Sequence, residues 1–510
     1  MFSNILIYFV VIPVLMLAGL ALTRNMRQIR AVAVVGSSAL VALSVVLLVQ
    51  YLQLRAAGET AAMLFTDSWM WYSPLNIHLA VGVDGISVAM LILSAIIVFA
   101  GSFASWKINP LPKEFFLWLI LLSIGVFGFF ISIDLFTMFM FYEVALIPMY
   151  LLIGIWGTGR KEYSAMKLTL MLMGGSAFLL LGILGIYFNS VGVDGQHTMN
   201  LLEIAENGVD HDWQMFLFPM TFVGFGVLGA MFPFHTWSPD GHASAPTAVS
   251  MLHAGVLMKL GGYGCFRVAI YLMPEAAHEL AWIFLILTGI SVVYGAFSAC
   301  VQTDLKYINA YSSVSHCGLV LFAILMLNTT AMTGAILQML SHGLMTALFF
   351  ALIGMIYGRT HTRDIRLMGG LMKIMPFLAV SYVIAGMASL GLPGLSGFVA
   401  EMTIFVGSFS QGMIDYLSGA GSLRLVFTVI ACCSIVITAV YILRVVGKLL
   451  LGPVQDKHHL ELTDATWWER LSVVTLIVSV AAIGCFPNFF ATLISDTFVR
   501  SFGSIIEVLN

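Results

Sequence analysis

Lys259 stands in the middle of 246-PTAVSMLHAGVLMKLGGYGCFRVAI-270, a segment long and apolar enough to cross a bilayer. Glu143 is placed the same way in 134-DLFTMFMFYEVALIPMYLLIGIW-156, and Glu401 in 395-LSGFVAEMTIFVGSF-409. A charge at bilayer depth costs at least ~2.5–3.5 kcal/mol on insertion scales, so one base and two acids kept there point to an ion or proton path. The structural alternative for Glu143 and Lys259 is a static ion pair that fixes helix packing. An apolar pair would serve packing at lower cost in lipid, which favours proton work. For Glu401 the alternative is a carboxyl snorkelling to the outer interface. The Pro393–Gly397 interruption one turn earlier favours function. His235, His253, His316 and His342 lie in apolar sequence and add relay candidates, because imidazole titrates near physiological pH. Any one of them alone could be a satisfied structural residue. His316 closes 311-YSSVSH-316, whose hydroxyls could support a water chain, and His342 lies in 338-QMLSHGLMTALFF-350. Asp84 and Asp134, at span edges, read as helix caps.

The elements that must hold these residues are membrane helices. Of 510 residues, 60% are hydrophobic and only 9% charged, and mean hydropathy is +1.00, a balance foreign to soluble domains. A net charge of −3 offers no basic surface for nucleic acid. The six cysteines lie in or beside apolar segments without a C-x-x-C pair, so they read as buried thiols rather than zinc or iron–sulfur ligands. No nucleotide loop or nucleophile elbow is present. The segment 2–22 lacks a basic leader and reads as a retained first span. The 30 methionines read as lipid-facing or core filler.

With ~20 apolar residues per span, fourteen spans are expected: 2–22, 31–51, 83–105, 114–132, 134–156, 166–189, 214–236, 246–271, 278–301, 305–327, 333–357, 374–410, 425–450 and 470–495. The stretches 51–80 and 190–213 are the longest polar ones, too short for an extramembrane domain. Seventeen of the 22 basic residues then fall on one side, and Asp194, Glu203, Glu206, Asp210 and Asp212 on the other. The positive-inside rule makes the basic side cytoplasmic and leaves both termini outside. The segment 451–469, ending in Trp467 and Trp468, reads as lying along the cytoplasmic interface.

Spans 7 and 12 are interrupted, by 229-GAMFPFHTWSPDGHASAP-246 and 389-SLGLPGLSGF-398. Irregular backbone at membrane depth persists only inside protein or against a water-filled cavity. Spans 4–8 and 9–13 make two five-helix units, inverted because five is odd, each broken in its fourth helix. The expected division is 1–113 (spans 1–3), 114–272 and 273–450 (the two repeats), and 451–510 (interfacial segment and span 14).

Five stretches carry a resemblance: 141-FYEVALIPMYLLIGIWG-157, 232-FPFHTWSPDGHASAPTAVSMLHAGVLMKLGGYG-264, 302-QTDLKYINAYSSVSHCGL-319, 361-HTRDIRLMGGL-371 and 391-GLPGLSGFVAE-401. Together they resemble the chain M family of antiporter-like subunits of the proton-pumping NADH:quinone oxidoreductases (respiratory complex I), relatives of the Mrp cation/proton antiporters. The likeness runs from about residue 80 to residue 450. It implies an all-α polytopic fold of fourteen helices with two inverted repeats. It also implies no redox centre or cofactor in this chain, and proton translocation driven by electron transfer in partner subunits. Those partners would include sister antiporter-like subunits, in a bacterial cytoplasmic membrane. Glu143 matches the essential glutamate of span 5, Lys259 the central lysine of span 8 and Glu401 the acid of span 12. His316 and His342 match histidines of the central hydrophilic axis.

Two departures stand out. The family's lysine of span 7, partner of the span-5 glutamate, aligns here with Leu228, and 168–258 contains no lysine or arginine. His253 stands where this chain type usually carries an apolar residue. The expectation is that His253, alone or together with His235, replaces the missing base; the alternative is a Glu143 wired by water alone. An Mrp-type Na+/H+ antiporter subunit and a non-pumping spacer of the complex are the other readings. No span carries a clear quinone-pocket signal.

Overall fold

Apolar segments in lipid must satisfy every backbone polar group internally, and this sequence does so with helices. The computed structural model describes residues 4–192 and 195–509; residues 2 and 3 of the first expected span and Asp194 of the acidic loop lie outside it. Helices α1 (Tyr8–Leu22), α2 (Met26–Ala56), α3 (Gly85–Ala104), α4 (Pro112–Ile131), α5 (Leu135–Trp156) and α6 (Lys161–Asn189) give the first six spans. After the short α7 (Leu201–Asn207), span 7 is split into α8 (His211–Leu228) and α9 (Trp237–Ser244). Span 8 comprises α10 (Thr247–Leu252), a π-helical stretch His253–Leu257, α11 (Met258–Gly264) and a second π stretch Cys265–Ile270. Next come α12 (Pro274–Val301), α13 (Leu305–Ile324), α14 (Thr329–Thr360) and the single turn α15 (Leu371–Ile374). Span 12 is split into α16 (Pro376–Ser389) and α17 (Ser396–Ser418), and α18 (Leu423–Leu450), α19 (Trp467–Cys485) and α20 (Pro487–Leu509) close the chain. Among the described residues, eleven helices are long and apolar enough to cross a membrane whole. The three interrupted spans bring the number to the expected fourteen.

The caps follow side-chain chemistry. Asp84, Asp134, Asp304 and Asn328 each accept a backbone N–H in the first turn of α3, α5, α13 and α14. The two expected breaks are present. Between α8 and α9, Ala230 takes a left-handed conformation and Trp237 Nε1 donates to Val227 O at 3.0 Å. Between α16 and α17, Gly391 and Gly394 take positive φ on either side of Pro393.

Three features depart from the sequence reading. The stretch 51–80 is more than loop: β1 (Leu64–Tyr72) pairs antiparallel with β2 (Ile77–Val83). Burial alternates along β1 from Phe65 to Met70, a period-two pattern that hydropathy averages away. Span 14 ends at Cys485 rather than 495. Pro487 offers no N–H and pushes Phe486 out of helical geometry, so α20 starts as a separate helix. It packs across α3 and α14. Span 8, expected as a plain helix, carries its two π stretches on either side of Lys259.

On the basic face, the 451–469 segment is tied down rather than free. Arg359 reaches Glu469 at 2.7 Å, and Asp464 accepts from the backbone of Phe377 at the start of α16.

Candidate functional site

Helix α14 is the spine of the site. Residues four apart on a helix share a face, and here that face carries Gln338, His342, Thr346, Phe350 and Gly354. From Gly354 to Gln338 this is roughly 24 Å of rise, most of a ~30 Å hydrocarbon core. Each position meets a polar partner or makes room for one.

Lys259 is buried at 2% exposure and its ammonium donates to His342 Nδ1 at 2.6 Å. It also holds the carbonyl of Ala254, inside the first π stretch. The widened turn frees carbonyls that a regular ladder would use, and the ammonium takes one. Gly261 lets this helix lie against the break: a Cβ there would strike Gly229 N and Phe225 O. Lys259 is thus fixed by the interruption that the sequence showed.

His342 continues the line. Its ring lies 5.4 Å from that of His316, and His316 Nδ1 accepts from Gln338 Nε2 at 3.0 Å. Glu401 Oε1 is 3.6 Å from the same nitrogen. Glu401 faces a small cavity lined by Ser315, Ser389, Ser434 and Thr438, of about 10 Å³, room for about one water. The break makes room for the carboxylate too, since Oε2 lies only 2.8 Å from where a Cβ on Gly391 would be. Lys259, His342, His316 and Glu401 therefore form one buried polar line from span 8 to span 12.

Toward the basic face the line has a second part, of which the sequence reading named His253 and missed His242. His242 and His253 are fully buried with rings 4.3 Å apart, and none of their four ring nitrogens has a hydrogen-bond partner. His242 stacks on Phe350 of the spine, and His253 on Trp237. One turn further along the spine, Gly354 leaves room for Thr247. Thr247 lines a cleft of about 430 Å³ with Lys107, Arg359, Thr463 and Glu469. His242 sits in the polar motif 237-WSPDGHAS-244, which hydropathy reads as loop; its signal was the second histidine at a packing distance only the fold reveals.

The other expected residues are placed apart. His235 is buried between Phe232 and Tyr294, with Nδ1 unpartnered. Glu143 is half-buried on α5, close to Ser176 of α6, and its Oε1 has no hydrogen-bond partner. No contact joins it to His253 or His235. The expected substitution of His253 for the missing lysine is therefore not seen as a pair. His253 packs on Trp237 and His242 of α9, whereas Glu143 lies by Ser176 of α6. Leu228 is buried in the last turn of α8. Asp84, expected as a cap, does cap α3, and it also forms a buried ion pair with Arg267 of span 8.

The model of the family described as NADH:quinone oxidoreductase/Mrp antiporter, TM matches residues 132–447. A protein of Picosynechococcus sp. named NAD(P)H-quinone oxidoreductase chain 4 3 is 39% identical over 383 residues, covering 75% of this chain and 68% of the relative. One of Rickettsia bellii named NADH-quinone oxidoreductase subunit M is 33% identical over 441 residues, 86% of each chain. Among solved structures, a chain of respiratory complex I from Thermus thermophilus superposes with a TM-score of 0.87 at 24% identity, over 99% of this chain and 100% of that one. At that identity the match bears on the fold alone.

Proposed function

Since the chain belongs to the NADH:quinone oxidoreductase/Mrp antiporter transmembrane family, we propose that it is a proton-translocating membrane subunit of a respiratory NADH:quinone oxidoreductase. Redox chemistry in partner subunits drives it, and the chain itself carries no redox centre. The observation that carries this reading is the buried line of neighbouring groups Lys259–His342–His316–Glu401. Relatives named as oxidoreductase subunits at 39% and 33% identity favour it over the antiporter reading.

In this reading protons are loaded from the cleft at the basic, cytoplasmic face. His242 and His253 hand them to Lys259; imidazoles with free ring nitrogens can accept at one nitrogen and donate from the other. His342 and His316 pass them on, and Glu401 releases them outward through water at the α16–α17 break. The pair below Lys259 supplies basic groups near the depth where Leu228 replaces a lysine. Residues 114–272 and 273–450 act as the two inverted halves, flanked by 1–113 and 451–510, in a bacterial cytoplasmic membrane with both termini outside. Glu143, with exposed Ile147 and Tyr150 one and two turns along its helix, serves the junction with a neighbouring membrane subunit. His235 lies off the line and takes a positioning part at the α8–α9 break.

The test is proton translocation by the purified complex in sealed vesicles with Lys259→Met. The expected result is an assembled complex whose protons moved per NADH fall by at least this subunit's share. An unchanged stoichiometry removes the reading. Sodium-dependent exchange without redox partners would instead favour the antiporter.

A further inference from the structure

Lys259 has a second neighbourhood, on the side away from the cleft. Tyr263 and Arg267 follow it at intervals of four and share its helix face, so a polar column climbs about 12 Å from Lys259 toward the acidic face. Tyr263 OH meets Ser87 Oγ at 2.8 Å. Arg267 is 1% exposed and paired with Asp84, which is wholly buried, and its guanidinium lies 5.2 Å from the Tyr263 ring and 5.5 Å from the Phe266 ring. The guanidinium donates to Asp84 through Nη2 and is also hydrogen-bonded with the Tyr263 hydroxyl. Helix α20 closes the top: Thr497 Oγ1 accepts from Gly85 N at 3.1 Å and Phe498 packs on Phe266 at 5.1 Å between ring centres.

We propose that the Asp84–Arg267 pair, roofed by α20, is a proton barrier that stops charge at Lys259 from escaping straight to the acidic face. It rests on the proposed function, because it protects the line through His342. Without it the column Lys259–Tyr263–Ser87 would offer a shorter exit than the one through Glu401. A guanidinium keeps its proton at every relevant pH, so it cannot relay one. It donates hydrogen bonds and accepts none, so a proton wire ends at it, in keeping with the use of a fixed arginine to exclude protons from narrow pores. Asp84 neutralises the pair enough to bury it and holds the guanidinium across the column. A purely structural latch is the competing account. An apolar pair would latch α3 to span 8 at least as well.

The experiment uses the intact complex in sealed vesicles with the double variant Asp84→Asn/Arg267→Gln. It removes both charges at once and leaves no lone buried ion, so assembly is expected to survive. Passive proton conductance under an imposed gradient is expected to rise severalfold, and protons moved per NADH to fall, with electron transfer unchanged. Adding Lys259→Met to the double variant is expected to abolish the leak, because the route passes through Lys259. Arg267→Lys, which keeps the positive charge, is expected to stay tight. A double variant as tight as wild type overturns the barrier and leaves a latch; so does a leak that survives Lys259→Met. Passive conductance needs no turnover, so this result is separable from a failure of the pumping reading, which wild-type stoichiometry reports.

Discussion

Gly391 carries the clearest residue-scale requirement in the second half of the line. Its φ of +66° is left-handed, and a Cβ there would lie 2.8 Å from Glu401 Oε2. An L-residue in that conformation costs about 1–2 kcal/mol, and the crowding would push the carboxylate away from His316. Gly394 provides the control, with φ +92° and nothing within 4 Å of the added atom. Proton translocation in vesicles is expected to fall by more than half in Gly391→Ala and to hold in Gly394→Ala, with both complexes assembled. Equal effects would mean that strain alone, and not the carboxylate's place, governs the site. Lys259, Glu401, His316 and His342 were legible in the sequence because an ionisable residue inside an apolar run is visible in one dimension. His242 and the Asp84–Arg267 pair were not. The former sits in a polar stretch, and the latter joins residues 183 positions apart, a distance no local pattern spans.

Elements divide along the same line. Proline and glycine announced the breaks in spans 7 and 12 because each acts on its own backbone. The π stretches beside Lys259 carry no such residue signal. They depend on packing against α8 and α14, which sequence spacing does not encode. The hairpin and α20 were missed for another reason: amphipathic elements at the rim average to neither span nor loop. Gly261 is where packing can be tested. A side chain there meets the backbone of α8, which has no rotamer to yield. Gly261→Val is expected to cost about 1–3 kcal/mol, the usual penalty of overpacking, and to lower the thermal midpoint of the purified complex. Gly447 of α18 has nothing within 4 Å of its would-be Cβ, so Gly447→Val should leave the midpoint within error. A matching drop at both positions would mean that α11 does not depend on its close approach to the α8 break.

At the scale of the whole molecule, the buried line and Glu143 lie in different places, and that separation has a consequence. The line runs from the first half of the chain into the second, enclosed throughout. Glu143 lies at the edge, on a helix whose next turns expose Ile147 at 57% and Tyr150 at 40%. An ionisable group at such an edge is costly against lipid and cheap against a polar partner surface. A photo-reactive residue placed at Ile147 is therefore expected to attach to another polypeptide of the complex. Glu143→Gln is expected to lower coupled proton translocation without raising passive leak, since it breaks a junction and opens no path. Attachment to lipid alone, together with wild-type stoichiometry in Glu143→Gln, would return Glu143 to a structural part within this chain. The line Lys259–His342–His316–Glu401 would then have to account for translocation without it.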